Sequence, residues 1–193
     1  MTAHGPDRLV LVRHGATAWS RSGRHTGRTD VPLDEGGLDQ ARSLRARLGQ
    51  MGIDHVLTSP LERARMTCDL AGFGRQADVV GELAEWDYGR FEGRTTDEIR
   101  AEHPGWQLFR DGCPGGEDAA SVGGRADAVL ARVAACRPGS TVALFGHGHV
   151  LRVLAARWLT LDAAGGKLLA LDAGSVSVLG HEREVRVVRT WNG

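Results

Sequence analysis

Two runs of apolar residues constrain the fold most: LVLV at residues 9–12 and TVALF at residues 141–145. Such continuous apolar runs are typical of strands that are covered on both faces, as in parallel sheets flanked by helices. A third strand is predicted at residues 53–58, and segments with helical apolar spacing lie between the strands. Because strands alternate with helices along the chain, the sequence predicts an α/β fold with a mostly parallel sheet.

Capping residues mark where three of the helices should begin. Ser59 and Pro60 stand where an N-cap and a first helical residue belong. Thr95 and Glu98 have the spacing of a capping box, which predicts a short helix. Ser121 precedes an apolar helical pattern and is the expected N-cap of that helix.

The remaining segments are predicted to be loops and a terminal hairpin. Residues 16–36 are polar and rich in glycine, so we expect a long loop, and long loops in compact domains tend to be functional. Alternating apolar residues on either side of Gly180 predict a hairpin at the sheet edge. The length suits one core, so we predict a single domain over residues 1–193, with residues 86–120 as a small cap-like insertion.

The composition argues against several classes of partner. Lysine and arginine together number 24, as do aspartate and glutamate, so the formal net charge is zero. Without an overall field we expect neither nucleic acid nor a membrane as a partner, and any anion site must be local. No stretch approaches the roughly 20 apolar residues that span a bilayer, and the N-terminus has no apolar signal segment, so we expect a cytoplasmic protein.

The first and third predicted strands end alike, in RHG and in GHG. Ligands of open α/β sheets bind at the carboxyl ends of strands, so we expect His14 and His147 to meet at one site. Arg63 lies in the first turn of a predicted helix, where free N–H groups and the helix dipole favour an anion. Arg13 adds a second guanidinium, a group that binds phosphate through paired, charge-assisted hydrogen bonds. The predicted ligand is phosphate.

Each of these residues also has an ordinary structural role open to it. A histidine after a strand is more often a capping or core residue than a catalyst, and the segment around Arg63 has the pattern of a solvated helix face. Arg13 favours the functional interpretation, because a guanidinium at the end of a buried strand costs free energy unless an anion accompanies it. His149, Tyr88 and Trp86 are closer to packing residues in this interpretation.

A metal site is the weaker alternative. His14, His147 and His149 are suitable zinc ligands, but no acidic residues stand near them at metal-ligand spacing, and an adjacent arginine repels a cation. We therefore predict neither a metal nor a cofactor. The three cysteines are far apart and include no CxxC pair, which predicts free thiols.

A bound phosphate ester would constrain the chemistry. A neutral imidazole can attack phosphorus to form a phosphohistidine, and a cationic neighbourhood keeps His14 unprotonated. A carboxyl group must then protonate the leaving alkoxide and later activate water. Glu85 stands in an apolar, aromatic stretch and is favoured for this role, while Glu82 and Glu92 remain alternatives.

Five segments in order, LVRHGATAWS, GRHTGRTDVPLDEGG, TSPLERARMT, LAEWDYGRFEG and FGHGH, resemble the histidine phosphatase superfamily, which has the phosphoglycerate mutase-like fold. The resemblance covers nearly the whole chain. It implies a three-layer α/β/α domain, with His14 as phosphorylated nucleophile and Glu85 as proton donor. The implied phosphate pocket and substrate contacts are Arg13, Gly15, Thr26, Gly27, Arg63, Tyr88, His147 and Gly148.

The family includes both phosphatases and mutases, and details of this chain favour hydrolysis. Residues 89–106 contain no lysine and no Arg-Arg pair of the kind that grips the substrate carboxylate in cofactor-dependent phosphoglycerate mutases, and Ala16 and Ser20 depart from the usual family pattern. Several segments are similar to acid phosphatases and to sedoheptulose-1,7-bisphosphatase, which implies a small phosphorylated metabolite such as a sugar phosphate as substrate.

Three further interpretations stay open at this point. The first is a phosphoglycerate mutase, and the second is a binding or regulatory protein that keeps the phosphate pocket without important turnover. The third concerns Arg24, Arg90 and Arg94, which are either contacts for a second phosphate or solvated surface charges. The sequence does not decide the oligomeric state, and a homodimer is one form that we consider.

Overall fold

The structure, a computed structural model, describes residues 5–193. It contains one six-stranded sheet. The strands are β1 (Arg8–Arg13), β2 (His55–Thr58), β3 (Ala77–Val79), β4 (Thr141–Gly146), β5 (Val176–Glu182) and β6 (Val185–Thr190). They lie in the order β3-β2-β4-β1-β5-β6; β1 to β4 are mutually parallel, whereas β5 and β6 pair antiparallel to their neighbours. The prediction of a mostly parallel sheet is confirmed.

Seven α-helices connect these strands in the described part of the chain. They are α1 (Ala18–Arg21), α2 (Glu35–Gly49), α3 (Glu62–Leu70), α4 (Thr96–Glu102), α5 (Leu108–Asp111), α6 (Ala119–Ala134) and α7 (Gly148–Trp158). Short 3₁₀ segments lie at Gly74–Gln76, Gly81–Leu83, Gly89–Phe91 and Ala163–Leu168. Within residues 5–193, no helix is both long and apolar enough to cross a bilayer.

Side-chain alternation along the strands builds a core on each face of the sheet. Leu9 and Leu11 of β1 pack on the side of α6 and α7, while Val10 and Val12 pack on the side of α2 and α3. Successive side chains of a strand point to opposite faces, so a continuous apolar run is the pattern that a strand between two helical layers requires. The expected three-layer α/β/α arrangement is confirmed.

The N-cap prediction was correct where the sequence offered one capping pattern and wrong where it offered two candidate caps. Thr95 and Glu98 form the predicted capping box of α4. Ser121, in contrast, is not an N-cap: Asp118 caps α6 and accepts a hydrogen bond from the Ser121 N–H at 2.8 Å. Aspartate is as good a cap as serine, and it occurs three residues earlier in the chain.

Three further details differ from the sequence predictions. The loop over residues 16–36 contains the single-turn helix α1, which is too short to show a period. Gly180 lies inside β5, and the hairpin turns after Glu182 through Arg183, whose φ is 54°. Ser59 does not cap α3, which begins at Glu62 with Leu61 as its N-cap.

Candidate active site

The parallel pairing of β1 with β4 brings the two predicted histidines together. Arg13 at the end of β1 is in register with Gly146 at the end of β4, and each strand is followed directly by a histidine. The backbone N–H of His14 donates to the Gly146 carbonyl at 3.0 Å. The imidazole rings of His14 and His147 consequently lie with their centroids 5.1 Å apart.

The ring of His14 is held in one tautomer. Its Nδ1 lies 2.7 Å from the carbonyl oxygen of Gly15, and because a carbonyl only accepts, Nδ1 must carry the proton and donate. The lone pair of the neutral ring then belongs to Nε2. Burial, and the charges of Arg13 and Arg63, hold the pKa of His14 well below its usual value of 6.5, against a smaller opposing effect of the hydrogen bond to Gly15.

Arg63 is fully buried at the start of α3. Its terminal nitrogens donate to three backbone carbonyls: Thr29 at 3.0 Å, Thr26 at 3.0 Å and Gly27 at 2.9 Å. The nearest carboxylate oxygen that it meets, on Asp30, is 3.8 Å away. These contacts use the far end of the guanidinium, and the Nε of Arg63 has no hydrogen-bond partner among the described residues.

Arg13, the residue before His14, is also held by a backbone carbonyl. Its Nη1 donates to the carbonyl of Leu171 in a short hydrogen bond. The guanidinium packs against the backbone of Gly148, where a Cβ atom would lie 3.3 Å from the Arg13 Cζ. The Nε of Arg13 is also buried and has no partner within residues 5–193. Burial lowers the pKa of Arg13, an effect that Glu85 partly opposes.

His147 is the third member of this group, and it is fully buried as the N-cap of α7. Its Nε2 lies 2.7 Å from the Oγ of Ser59. The same Oγ accepts the Leu61 N–H at 3.3 Å, and its own hydroxyl proton can be donated to Nε2. Burial and the charge of Arg63 hold the pKa of His147 well below 6.5, so the ring is neutral, and we assign Ser59 as donor to Nε2 and the ring proton to Nδ1.

Three buried N–H groups around His14 therefore lack a protein acceptor. They are Arg13 Nε, Arg63 Nε and His147 Nδ1, which we call the donor cluster. Buried polar groups in proteins are nearly always hydrogen-bonded, and an unpaired one costs roughly 1 to 3 kcal/mol. In the described part of the chain the other buried unpaired side-chain atom is Trp158 Nε1, at the end of α7. A tetrahedral oxyanion supplies acceptors of the kind that the donor cluster needs.

Glu85 stands at the N-terminus of α7 and is 8% exposed. Its Oε1 accepts the backbone N–H groups of Trp86 and Val150, both at 2.9 Å, and its Oε2 accepts that of His149 at 3.0 Å. A carboxylate offers about four acceptor positions, so one position on Oε2 remains for a proton. The carboxylate of Glu92, one of the alternatives, instead accepts the Gly27 N–H at 2.9 Å.

A pocket of about 250 Å³ opens at this edge of the sheet. The predicted site residues that line it are Arg13, His14, Thr26, Glu85, Tyr88 and Gly148. Four other predicted residues are buried and do not line the pocket: Gly15, Gly27, Arg63 and His147. Two of these use their backbone N–H groups within the protein, since Gly15 donates to Thr67 Oγ1 at 3.1 Å and Gly27 donates to Glu92.

Eight further residues line the pocket: Ser20, Gly23, Arg24, His25, Thr96, His149, Arg152 and Leu171. Ser20, Arg24 and His149 were singled out from the sequence for other reasons, whereas the other five had no distinct signal there. Arg152 stands one turn after His149 on α7, so the helical spacing from GHGH was the signal available for it. Among residues 5–193, the Arg152 guanidinium contacts two backbone carbonyls and the ring of Phe109, whereas Arg24 is 3.2 Å from Glu98. Of the residues considered for a second phosphate, Arg94 pairs with Glu102, and neither Arg94 nor Arg90 lines the pocket.

A larger groove of about 760 Å³ lies beside α3 and β3, but none of the predicted site residues lines it. Cys68 contributes to its wall, and burial raises the pKa of this thiol to about 12, so it stays protonated and is a poor nucleophile.

Cys68, Cys113 and Cys136 form no disulfide. Within residues 5–193, no group of three histidine, cysteine or acidic side chains is arranged to bind a metal ion.

Three relatives from other organisms resemble this chain over most of its length. An acid phosphatase of Mycobacterium tuberculosis is 42% identical over 93% of this chain and 89% of its own length. A sedoheptulose 1,7-bisphosphatase of Saccharomyces cerevisiae is 36% identical, over 80% of this chain and 68% of its own length. A probable phosphoglycerate mutase of Cronobacter sakazakii is 34% identical over 95% and 89%, respectively.

A solved structure and a family model match this chain, as these relatives do. A solved structure of an open reading frame product of Mycobacterium tuberculosis superposes with a TM-score of 0.92 at 41% identity, covering 96% of each chain. The family model of the histidine phosphatase superfamily (branch 1) matches residues 9–193, a stretch that begins with the first buried strand and includes both histidines at the sheet edge. The chain belongs to the histidine phosphatase superfamily.

Proposed function

We propose that the protein is a metal-independent phosphomonoesterase that hydrolyses a small phosphorylated metabolite through a phosphohistidine at His14. The observation that carries this proposal is the donor cluster around an imidazole whose Nε2 holds the lone pair. Acid phosphatase and sugar bisphosphatase relatives support the hydrolytic reaction. A small phosphorylated compound is accordingly the substrate class.

The first step transfers the phosphoryl group to the enzyme. His14 Nε2 attacks phosphorus, the N–P bond forms, and the ester P–O bond breaks with its electron pair on the leaving oxygen. The free position on Glu85 Oε2 holds the proton that this oxygen takes up. In the second step water attacks phosphorus, Glu85 takes a proton from the water, and the N–P electron pair returns to Nε2.

The donor cluster stabilises the charge that develops during transfer. Once the ester is bound, donors that are oriented towards its equatorial oxygens cost no further reorganisation in the transition state, and in a buried site they act more strongly than in water. The three atoms are closed to solvent, so the groups that cover them must move when the ester binds. Arg13 can move for this purpose, because exchange of the neutral Leu171 carbonyl for a phosphate oxygen is favourable.

The size and lining of the pocket favour a substrate with a compact, polar leaving group. About 250 Å³ accommodates a small metabolite, and Leu171 is the one aliphatic side chain among the residues that line it. Hydroxyl, imidazole and guanidinium groups form most of the remaining wall, which suits a polyhydroxylated ester such as a sugar phosphate. The name of the yeast relative agrees with this choice.

A phosphoglycerate mutase is the competing candidate, and the relative from Cronobacter sakazakii favours it. A mutase must exclude water from the phosphoenzyme until the phosphoryl group returns to the substrate. The two reactions are separated by incubation of the phosphorylated enzyme with 3-phosphoglycerate. We expect free phosphate to accumulate; accumulation of 2-phosphoglycerate instead would establish the mutase.

Rapid-quench labelling with a ³²P-labelled ester tests the mechanism. We expect acid-labile label on residue 14 of the wild-type chain and loss of label and turnover in His14→Ala, by a factor on the order of 10⁴ or more. His55→Ala, which removes an exposed histidine outside the pocket, is the matched control and should label normally. Label on another residue, or unchanged turnover in His14→Ala, contradicts the phosphohistidine.

Four further features stay predictions. They are the cytoplasmic location, the homodimer, the absence of nucleic acid as a partner, and the single domain in which residues 86–120 form a cap-like insertion.

A further inference from the structure

His149 lies in the pocket but has no part in the mechanism described above. It is the second residue of α7, and its side chain is 22% exposed. Its ring lies near the rings of Phe109 and Trp86, with centroid distances of 5.6 and 6.3 Å. Packing alone would account for these two contacts, but it would not account for the hydrogen bond that the ring makes on its other side.

The Tyr88 hydroxyl lies 2.6 Å from Nδ1 of His149. Tyr88 is buried, and its pKa is raised well above 10 by burial and by Glu85, so the phenol keeps its proton. Among the described residues, Nδ1 of His149 is the partner available to this proton. Tyr88 therefore donates, and Nδ1 accepts.

The proton of the neutral His149 ring then belongs to Nε2. Burial and the charge of Arg152 hold the pKa of His149 well below 6.5, so the ring is neutral near pH 7. Nε2 makes no hydrogen bond with a residue in the range 5–193, yet it is not among the atoms that are closed to solvent. This arrangement leaves an N–H donor on a residue that lines the pocket together with Arg13, Glu85 and Gly148.

We propose that His149 is a substrate contact whose Nε2–H donates to a hydroxyl or ether oxygen of the leaving group, and that Tyr88 is the positioning residue that keeps the proton on Nε2. The proposal rests on the proposed function, because it concerns the part of the ester that leaves. It selects esters that carry an oxygen near the phosphate, such as polyol and sugar phosphates, over simple alkyl esters. Such an oxygen can accept from the donor, whereas an alkyl chain leaves it unpaired.

A pair of alkyl esters tests the contact. Ribose 5-phosphate and propyl phosphate have leaving alkoxides of the same kind, but propyl phosphate carries no other oxygen on its leaving group. We expect His149→Leu to lower kcat/KM for ribose 5-phosphate about 5- to 10-fold more than for propyl phosphate, chiefly through KM, as the loss of one hydrogen bond predicts. His149→Gln, which keeps an N–H near the same place, should recover most of this selectivity.

A control variant separates loss of this contact from a general effect of replacing histidine by leucine. His55→Leu makes the same substitution at an exposed histidine outside the pocket, and its selectivity should equal that of the wild type. If His149→Leu weakens both esters equally, the ring is a packing residue and the contact is wrong. The same comparison by equilibrium binding, in a His14→Ala background, needs no turnover, so failure of the proposed reaction would not be confused with failure of this contact.

The tautomer is tested by ¹⁵N nuclear magnetic resonance of the histidine rings. We expect Nε2 of His149 to be protonated and Nδ1 to be unprotonated near pH 7, and we expect Tyr88→Phe to shift protons towards Nδ1. A purely structural Tyr88 would leave the tautomer unchanged on removal of its hydroxyl. Protonated Nδ1 in the wild type, or an unchanged spectrum in Tyr88→Phe, overturns the positioning role.

Discussion

The Oγ of Ser59 lies 2.7 Å from Nε2 of His147, although 88 residues separate them in the chain. The contact follows from the pairing of β2 with β4, in which Thr58 is in register with Phe145. Ser59 and His147 emerge from the same edge of the sheet. The serine that the sequence suggested as a helix cap instead contacts the ring of His147, and in our assignment it donates to Nε2 and leaves the ring proton on Nδ1.

Removal of this hydroxyl should impair catalysis more than a surface change would. In Ser59→Ala, Nε2 of His147 loses its donor, and the ring is free to place its proton on either nitrogen. We expect kcat/KM to fall roughly 10-fold and the free energy of unfolding to fall by about 1 to 3 kcal/mol. Ser59→Thr keeps the hydroxyl and should retain more activity. Wild-type kcat/KM in Ser59→Ala would contradict the role in orienting His147.

The effect of Glu85→Gln should depend on the leaving group. Poor alkoxide leaving groups need a proton, so we expect a loss of roughly 10² to 10⁴ in kcat for alkyl phosphates. For 4-nitrophenyl phosphate, whose leaving group needs little help, we expect less than about a 10-fold loss. Steady-state kinetics with both esters makes the comparison, and Glu82→Gln, at an exposed carboxylate, serves as control. Equal losses for both esters would mean that Glu85 acts only as an acceptor for the N-terminus of α7.

Protonation of His14 should begin only at distinctly acid pH. Its pKa is held well below 6.5 by burial and by Arg13 and Arg63, so the nucleophile stays neutral as the pH falls through 6.5. An NMR titration of the His14 ring in the free enzyme measures this directly. Arg13→Gln removes one of the neighbouring charges and should raise the pKa of His14. A His14 pKa near 6.5 in the wild type would contradict the effect of the buried environment.

Acid should destabilise the folded protein through its buried histidines. The pKa of His25 is lowered from 6.5 to about 4 by burial. Between these two values the unfolded chain binds a proton that the folded chain does not, so the free energy of unfolding decreases as the pH falls from 6.5 towards 4. In His25→Gln, the free energy of unfolding measured with urea should depend less steeply on pH over this range. An identical slope in the variant would contradict the contribution of His25.

Gly15 tolerates no side chain, because of a close backbone contact. A Cβ at this position would lie 2.3 Å from the carbonyl oxygen of Gly37 in α2. We expect Gly15→Ala to force the two segments apart and to lower the free energy of unfolding by about 1 to 3 kcal/mol, with a loss of activity. Gly49→Ala, at a site with nothing within 4 Å, is the matched control for urea denaturation and should be at least as stable as the wild type. Equal stability of the Gly15→Ala and wild-type proteins would contradict the close approach.

The most predictable parts were those that local rules determine. The apolar runs of β1 and β4 predicted buried strands, since only a strand between two helical layers needs apolar residues on both faces. Thr95 and Glu98 predicted the start of α4, because a capping box satisfies its own N–H groups. Ser121 was wrong as a cap because a second residue with the same chemistry, Asp118, stood nearby, and local sequence does not rank the two.

The sequence by itself determined the layered fold and the two strand ends that carry Arg13, His14 and His147, because strand periodicity and chain order are local properties. Only the tertiary structure decided which atoms of these residues are engaged and which are free. Gly15 accepts from Nδ1 of His14, three loop carbonyls hold Arg63, and Ser59 holds His147. The partners of Arg63 and His147 are distant in the chain, and the low pKa of His14 arises from burial and from charges brought near by folding. Hydrogen bonding and desolvation depend on positions in space, which local sequence does not specify.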